Sequence, residues 1–209
     1  MISAREALER LQEGSRRFAS GARSRDTLAS RARPNDLIGG QAPFATILGC
    51  SDSRVPVEII FDQDLGDLFV IRVAGNIVAP SQVGSVEFAA ERFGTRLVVV
   101  LGHSQCGAVQ ATLEDLQRSA RSDSRNQRAI VERISPSVAE LLETELKHNP
   151  DALLHHSVRA NVRASVNQLR HGSEILEQLI EKEGLLVVGA EYSLETGIVD
   201  FFHGMPESD

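Results

Sequence analysis

Four short apolar runs limit what this chain can fold into: "FATILGC" (44–50), "DLFVIRVAG" (67–75), "RLVVVLGHS" (96–104) and "LLVVGAEYS" (185–193). They are rich in β-branched residues and too short for typical helices. They also lack the strict alternation of a half-exposed strand, so they read as strands buried on both faces, as in parallel sheets. Parallel neighbours need long crossovers, and helical stretches lie between the runs. Residues 81–94 read as a helix with Ser81 as N-cap and Gly94 as its stop. Residues 105–118 continue from the third run, and 127–147, 152–171 and 173–183 form a helical block without strand signal. Ala7, Leu8, Leu11 and Phe18 recur at near-helical spacing, so 3–20 read as an amphipathic helix. Residues 21–42, rich in Gly, Ser, Arg, Asn and Pro, read as a loop or arm. The expectation is an α/β fold with a mostly parallel central sheet flanked by helices and an N-terminal helical arm. Its 209 residues suit a single domain, with 1–42 as helix and arm and 43–209 as the α/β core.

Charge and hydropathy remove other classes. The chain has 22 Lys and Arg against 29 Asp and Glu, a net charge of −7, the wrong sign for a sequence-independent nucleic-acid binder. No apolar run approaches the roughly 20 residues of a membrane span. The opening "MISAREALERLQEGSRRF" is charged throughout and lacks the apolar stretch of a secretory signal, so a cytoplasmic location is expected. Two cysteines make no disulfide scaffold.

Those two cysteines stand beside other ligand-type side chains. In open α/β sheets, sites form beyond the carboxyl ends of strands. Cys50 ends the first strand, and "GHSQCG" (102–107) puts His103 and Cys106 at the end of the third. Two thiolates and an imidazole suit zinc, which takes sulfur and nitrogen ligands tetrahedrally. A fourth position remains, and Asp52 is the obvious candidate for it. Arg54, two residues on, can hold that carboxylate off the metal in a two-pronged contact, leaving an open, catalytic position. Zinc with two thiolates and a neutral imidazole sums to zero charge. Such a centre acidifies water less than a three-histidine site, where the pKa is about 7, so activity should rise on the alkaline side of neutral. Cys50 as a nucleophile with His103 as base is the rival reading, but it leaves Cys106 and the Asp–Arg pair without a role. His148, His155, His156, His171 and His203 read as surface or structural residues, with the 155–156 pair a weak proton-shuttle candidate.

"CSDSRVP", "GDLFVIRVAGNIV", "SVEFA" and "GHSQCGAV", in this order and at these gaps, resemble the β-class carbonic anhydrases. The resemblance is densest over 44–113 and reaches the first helix and "VVGAEYSLETGIVDF". It implies reversible hydration of carbon dioxide to bicarbonate and a proton by a zinc-bound hydroxide. One zinc per chain would be held by Cys50, His103 and Cys106, with Asp52 either a fourth ligand or paired with Arg54. It implies four parallel strands plus an edge strand, and an N-terminal helix reaching over a partner in a homodimer or homotetramer. Some members bind inhibitory bicarbonate with Trp, Arg and Tyr. The matching positions are Ile47, Arg72 and Tyr192, and this chain has no Trp. A substrate-contacting Gln of plant-type members falls at Asp64, with Gln63 one place earlier. Gly75 and Gly107 would shape the pocket or serve only the turns. Close relatives of the family hydrolyse carbon disulfide or carbonyl sulfide, and a non-catalytic zinc protein with Asp52 as permanent ligand is the reading from another class.

Overall fold

The computed structural model describes residues 2–22, 38–118 and 124–206; most of the expected arm, residues 23–37, lies outside these. The four apolar runs are strands β1 (Ala45–Gly49), β2 (Leu68–Arg72), β3 (Leu97–His103) and β4 (Leu186–Tyr192). A fifth, β5 (Val199–His203), completes a sheet of order β2-β1-β3-β4-β5. The first four are parallel and β5 runs antiparallel beside β4. β5 is an edge strand, as the resemblance implied, but "VDFFH" carries too weak an apolar signal to be read from its residues.

Among the described residues the helices are α1 (Ala4–Ala19), α2 (Val57–Ile60), α3 (Pro80–Arg92), α4 (Gly107–Gln117), α5 (Arg125–Val138), α6 (Pro150–His171) and α7 (Glu174–Glu183). Two expectations need correction. Helix α3 begins at Pro80 with Ala79 as an N-cap that makes no side-chain bond, so Ser81 is inside the helix rather than its cap. Proline suits the first helical position because its missing N–H has no partner there anyway. The stretch 127–147 is not one helix. Pro136 sits in the last turn of α5, where it removes a ladder hydrogen bond, and the chain goes on as two 3-10 turns over Ala139–Glu143 and Glu145–His148. The stop at Gly94 holds, with φ of 68°.

Successive strand residues feed opposite apolar layers, because side chains alternate across a sheet. Ile47, Leu97, Val99, Leu101, Val188 and Ala190 pack with Leu8 and Leu11 of α1 and with Val57 and Ile60 of α2. Leu48, Val98, Val100 and Val187 pack with Val86 of α3, Val162 and Val166 of α6 and Leu176 of α7. Helix α1 thus covers its own chain's sheet. Its Ser3 N-cap accepts from the Glu6 N–H, and Arg10 and Arg17 pair with Asp67 and Asp62.

Two glycines bring α6 close. A Cβ at Gly102 would stand 2.6 Å from Val162 Cγ2, and one at Gly189 would stand 2.8 Å from Val162 Cγ1. The sheet is therefore cut back on adjacent strands β3 and β4 where the helix crosses. We expect Gly189→Ala to push α6 outward and cost about 1–3 kcal/mol in urea unfolding, the usual penalty of overpacking. An unchanged midpoint would show that the helix has slack there.

Candidate metal centre

The parallel register delivers two strand ends to one place. Gly49 of β1 pairs with Leu101 of β3, so the residues that follow each strand leave the sheet side by side. Cys50 directly follows β1 and His103 is the last residue of β3. Two residues later the chain turns back through Gln105, with φ of 55°, and Cys106 becomes the N-cap of α4. Cys106 makes no side-chain cap bond, and a helix N-terminus favours negative charge on its sulfur.

Cys50, His103 and Cys106 converge, with one ligand atom from each lying within 4.8 Å of the others. The two sulfurs are 4.0 Å apart. Two thiolates each about 2.3 Å from one tetrahedral zinc would stand about 3.8 Å apart, so little movement is required. The hydrogen bond from Cys106 brings the Cys50 thiol down to about 4, against the burial that raises it, with the Gly75 N–H helping. The same contact, with burial, pushes Cys106 up.

The histidine is prepared in the same sense. His103 Nδ1 lies 2.8 Å from the Ser104 carbonyl, which can only accept, so in the neutral ring Nδ1 carries the proton and Nε2 the lone pair. His103 is fully buried, and its Nε2 has no hydrogen-bond partner. An orphaned buried lone pair beside two thiols fits a metal ion, and fixing the outer nitrogen to a carbonyl is how ligating histidines are oriented.

Asp52 is turned to Arg54. Its Oδ1 accepts from the Arg54 backbone N–H at 3.0 Å and Nε at 2.9 Å, and its Oδ2 accepts from Nη2 at 2.8 Å. Oδ2 is also 3.8 Å from His103 Nε2, so the carboxylate stands at the mouth of the three-ligand cluster. The Arg54 side-chain hydrogen bonds hold the Asp52 carboxyl well below the usual carboxylate range.

Other residues hold this arrangement, and side-chain type alone would not have found them. Arg72 donates from Nε to the Cys50 carbonyl at 3.0 Å and from Nη2 to the Asp52 carbonyl at 2.6 Å, clamping the segment that carries both. The Gly75 N–H donates to Cys50 Sγ at 3.3 Å. Glu195, in the β4–β5 loop, accepts from Ser104 Oγ at 2.7 Å and Gln105 Nε2 at 2.6 Å, tying down the His103–Cys106 turn. These bonds, first that from Ser104, lower its carboxyl to about 2. Its place just past the end of a parallel strand was the only sequence signal.

The remaining expected positions stand outside the cluster, although Tyr192 is the β4 partner of His103 in the sheet. Ile47 and Tyr192 belong to the apolar layer under α1, and Tyr192 meets Phe18 at a ring distance of 6.2 Å. Gln63 is buried beneath α1, donating to the Phe61 carbonyl and accepting from Arg10. His155 lies 3.5 Å from Glu191 and edge-on to His156.

A family model described as Carbonic anhydrase matches residues 45–199. Carbonic anhydrase 2 of Mycobacterium tuberculosis is 37% identical over 193 residues, covering 91% of this chain and 89% of that one. The chain belongs to the β-carbonic anhydrase family. The carbonic anhydrase of Mycolicibacterium smegmatis is 36% identical over 194 residues, with 93% and 91% of the two chains covered. In fold, the chain superposes on a tetrameric β-carbonic anhydrase of Sordaria macrospora with a TM-score of 0.72 at 26% identity, over 83% of this chain and 87% of that one. Among the described residues no helix is long and apolar enough to cross a membrane.

The Asp52–Arg54 pairing makes a pH prediction whose sign is fixed. A depressed carboxylate supports the fold fully above its ordinary pKa of about 3.9 and loses that contribution as pH falls towards the lower native value. Arg54→Ala should raise the Asp52 pKa towards about 3.9 in an NMR titration of labelled aspartates. A value that does not move would show that Arg54 is not what holds it down.

Proposed function

We propose that this chain hydrates carbon dioxide reversibly to bicarbonate and a proton, with one zinc ion held by Cys50, His103 and Cys106. The observation that carries this reading is the buried, unpartnered His103 Nε2 facing two thiols 4.0 Å apart. Zinc, when bound, supplies an acidified water that can act as a nucleophile near neutral pH.

The chain's own residues set the conditions. Asp52 stays ionised throughout the working range, so it accepts hydrogen bonds and never donates one. Arg54 fixes which way its oxygens point, and Arg72 fixes the backbone beneath it. With its carboxylate turned to Arg54, Asp52 leaves the fourth position free for substrate chemistry. Were it to turn to the metal instead, it would close the site. Ile77, Val109, Ile134 and Val158 pack around the two cysteines, so the protein side of the centre is dry and reaction is confined to the side of Asp52. An uncharged gas loses little on entering such surroundings.

We take the chain to act as a single domain, with α1 ahead of an α/β core that begins at residue 43. We take it to work as a homodimer or homotetramer, a reading supported by the tetrameric Sordaria macrospora relatives. The cytoplasm is the compartment that suits two free thiols.

Stopped-flow hydration of carbon dioxide, with metal measured on the same sample, tests this. About one zinc per chain is expected, with a rate that rises between about pH 6 and 9 as the neutral zinc–dithiolate charge count requires. Absence of zinc, or a flat profile, would overturn the reading. Asp52→Ala should keep the metal and lose most of the activity; loss of metal would make Asp52 a structural ligand instead.

A further inference from the structure

Behind Cys50 lies a buried polar chain that the reading above leaves unused. The Gly75 N–H reaches Cys50 Sγ at 3.3 Å only because Gly75 adopts φ of 70° within the 3-10 turn Ala74–Asn76. A side chain is disfavoured there, since φ of 70° strains any L residue and a Cβ would also crowd Ala108 Cβ at 3.2 Å. The other face of the same residue is held by α6, where Asn161 Nδ2 donates to the Gly75 carbonyl at 2.7 Å. One helical turn on, Ser165 Oγ donates to the Asn76 carbonyl at 3.1 Å. Asn161 is 2% exposed and Ser165 4%, on a buried face shared with Val158, Val162 and Val166 and, one turn before Asn161, with Ser157, whose Oγ has no partner. A polar pair at i and i+4 on an apolar helix face is costly unless both members are bonded, and here both are. Their reach depends on how closely α6 approaches the sheet, and that approach depends on Gly102 and Gly189 lacking side chains against Val162.

We propose that Asn161 is a positioning residue for the metal centre: by holding the Gly75 carbonyl it aims the Gly75 N–H at the Cys50 sulfur and so tunes that thiolate as a ligand. An N–H donated to a thiolate draws off electron density. The sulfur then gives less to a bound metal, and the metal stays more electron-poor than two unrelieved thiolates would leave it. In a centre whose ligand charges already cancel those of zinc, this opposes the loss of Lewis acidity that the second thiolate brings. The role rests on Cys50 being a ligand.

The test uses the full-length protein loaded with zinc or with cobalt. Asn161→Ala should weaken zinc binding by about 10- to 100-fold in chelator competition, because losing the partner that holds the Cys50 sulfur in place outweighs the gain in its electron donation. It should also move the thiolate-to-cobalt charge-transfer band to longer wavelength, because the sulfur becomes the better donor. Ser165→Ala removes an equally buried hydrogen bond from the same helix face, but to the neighbouring carbonyl. It should lower the melting temperature and leave the band in place. If Asn161→Ala does not fold, Asn161→Ser is measured in its stead. Failure of both to fold, or a band and affinity matching those of the unaltered protein, would overturn the assignment and make Asn161 a packing residue only. If the unaltered protein takes up neither zinc nor cobalt, the ligand reading itself falls and this role falls with it. That result is separable from the others because it appears before any substitution is made.

Discussion

The pairing of β1 with β3 is the constraint on which the rest depends. Because the two strands are parallel and Gly49 lies beside Leu101, both chains leave the sheet at one edge and in one direction. An antiparallel pairing would have sent Cys50 and His103 to opposite ends. Once the strands are parallel, bringing Cys106 to the same place needs only a tight turn, which Gln105 provides in a left-handed conformation. The centre is therefore a product of topology first and of side-chain chemistry second.

Much of this could be read from the sequence, for a physical reason. Strands buried on both faces must be apolar almost throughout, and "RLVVVLGHS" allows few other readings. Its observed extent, Leu97–His103, differs from the expected run only at the ends. The convergence of Cys50 with His103 and Cys106 followed from placing each at a strand's carboxyl end. What escaped was structure set by weaker or non-local signals. Strand β5 is short, carries Asp200 and is held by β4 alone, so nothing in "VDFFH" announces it. The helical block 127–147 looked continuous because propensity sums over a window, while Pro136 acts on a single hydrogen bond. Residues that work through backbone atoms were invisible for another reason. Arg72 stood out only by resemblance, and its guanidinium grips the carbonyls of Cys50 and Asp52, an engagement that no residue type encodes.

The charges around the centre are arranged in opposition. Cys50 is eased into its anionic form by donors, while Asp52 is held anionic by a cation that also keeps it at arm's length. Arg54 is half exposed, so this control sits at the solvent boundary, whereas the partners of Cys50 lie in the dry interior. The site is thus rigid from behind and adjustable from in front. That division suits a reaction in which a small neutral molecule enters and a charged product must leave.

Glu195 carries a last consequence. Its carboxylate joins Ser104 to a loop 91 residues further along the chain, and Ser104 in turn accepts the His103 ring proton on its carbonyl. The Leu194 N–H also donates to Ser104 Oγ. The turn that bears the histidine is consequently not a free-standing loop. It is tied to residues 193–196 through Ser104 and Gln105, so displacing the imidazole with its turn means breaking those bonds or carrying that loop along. The order of the histidine-bearing turn and that of the β4–β5 connection thus rest on the same few bonds.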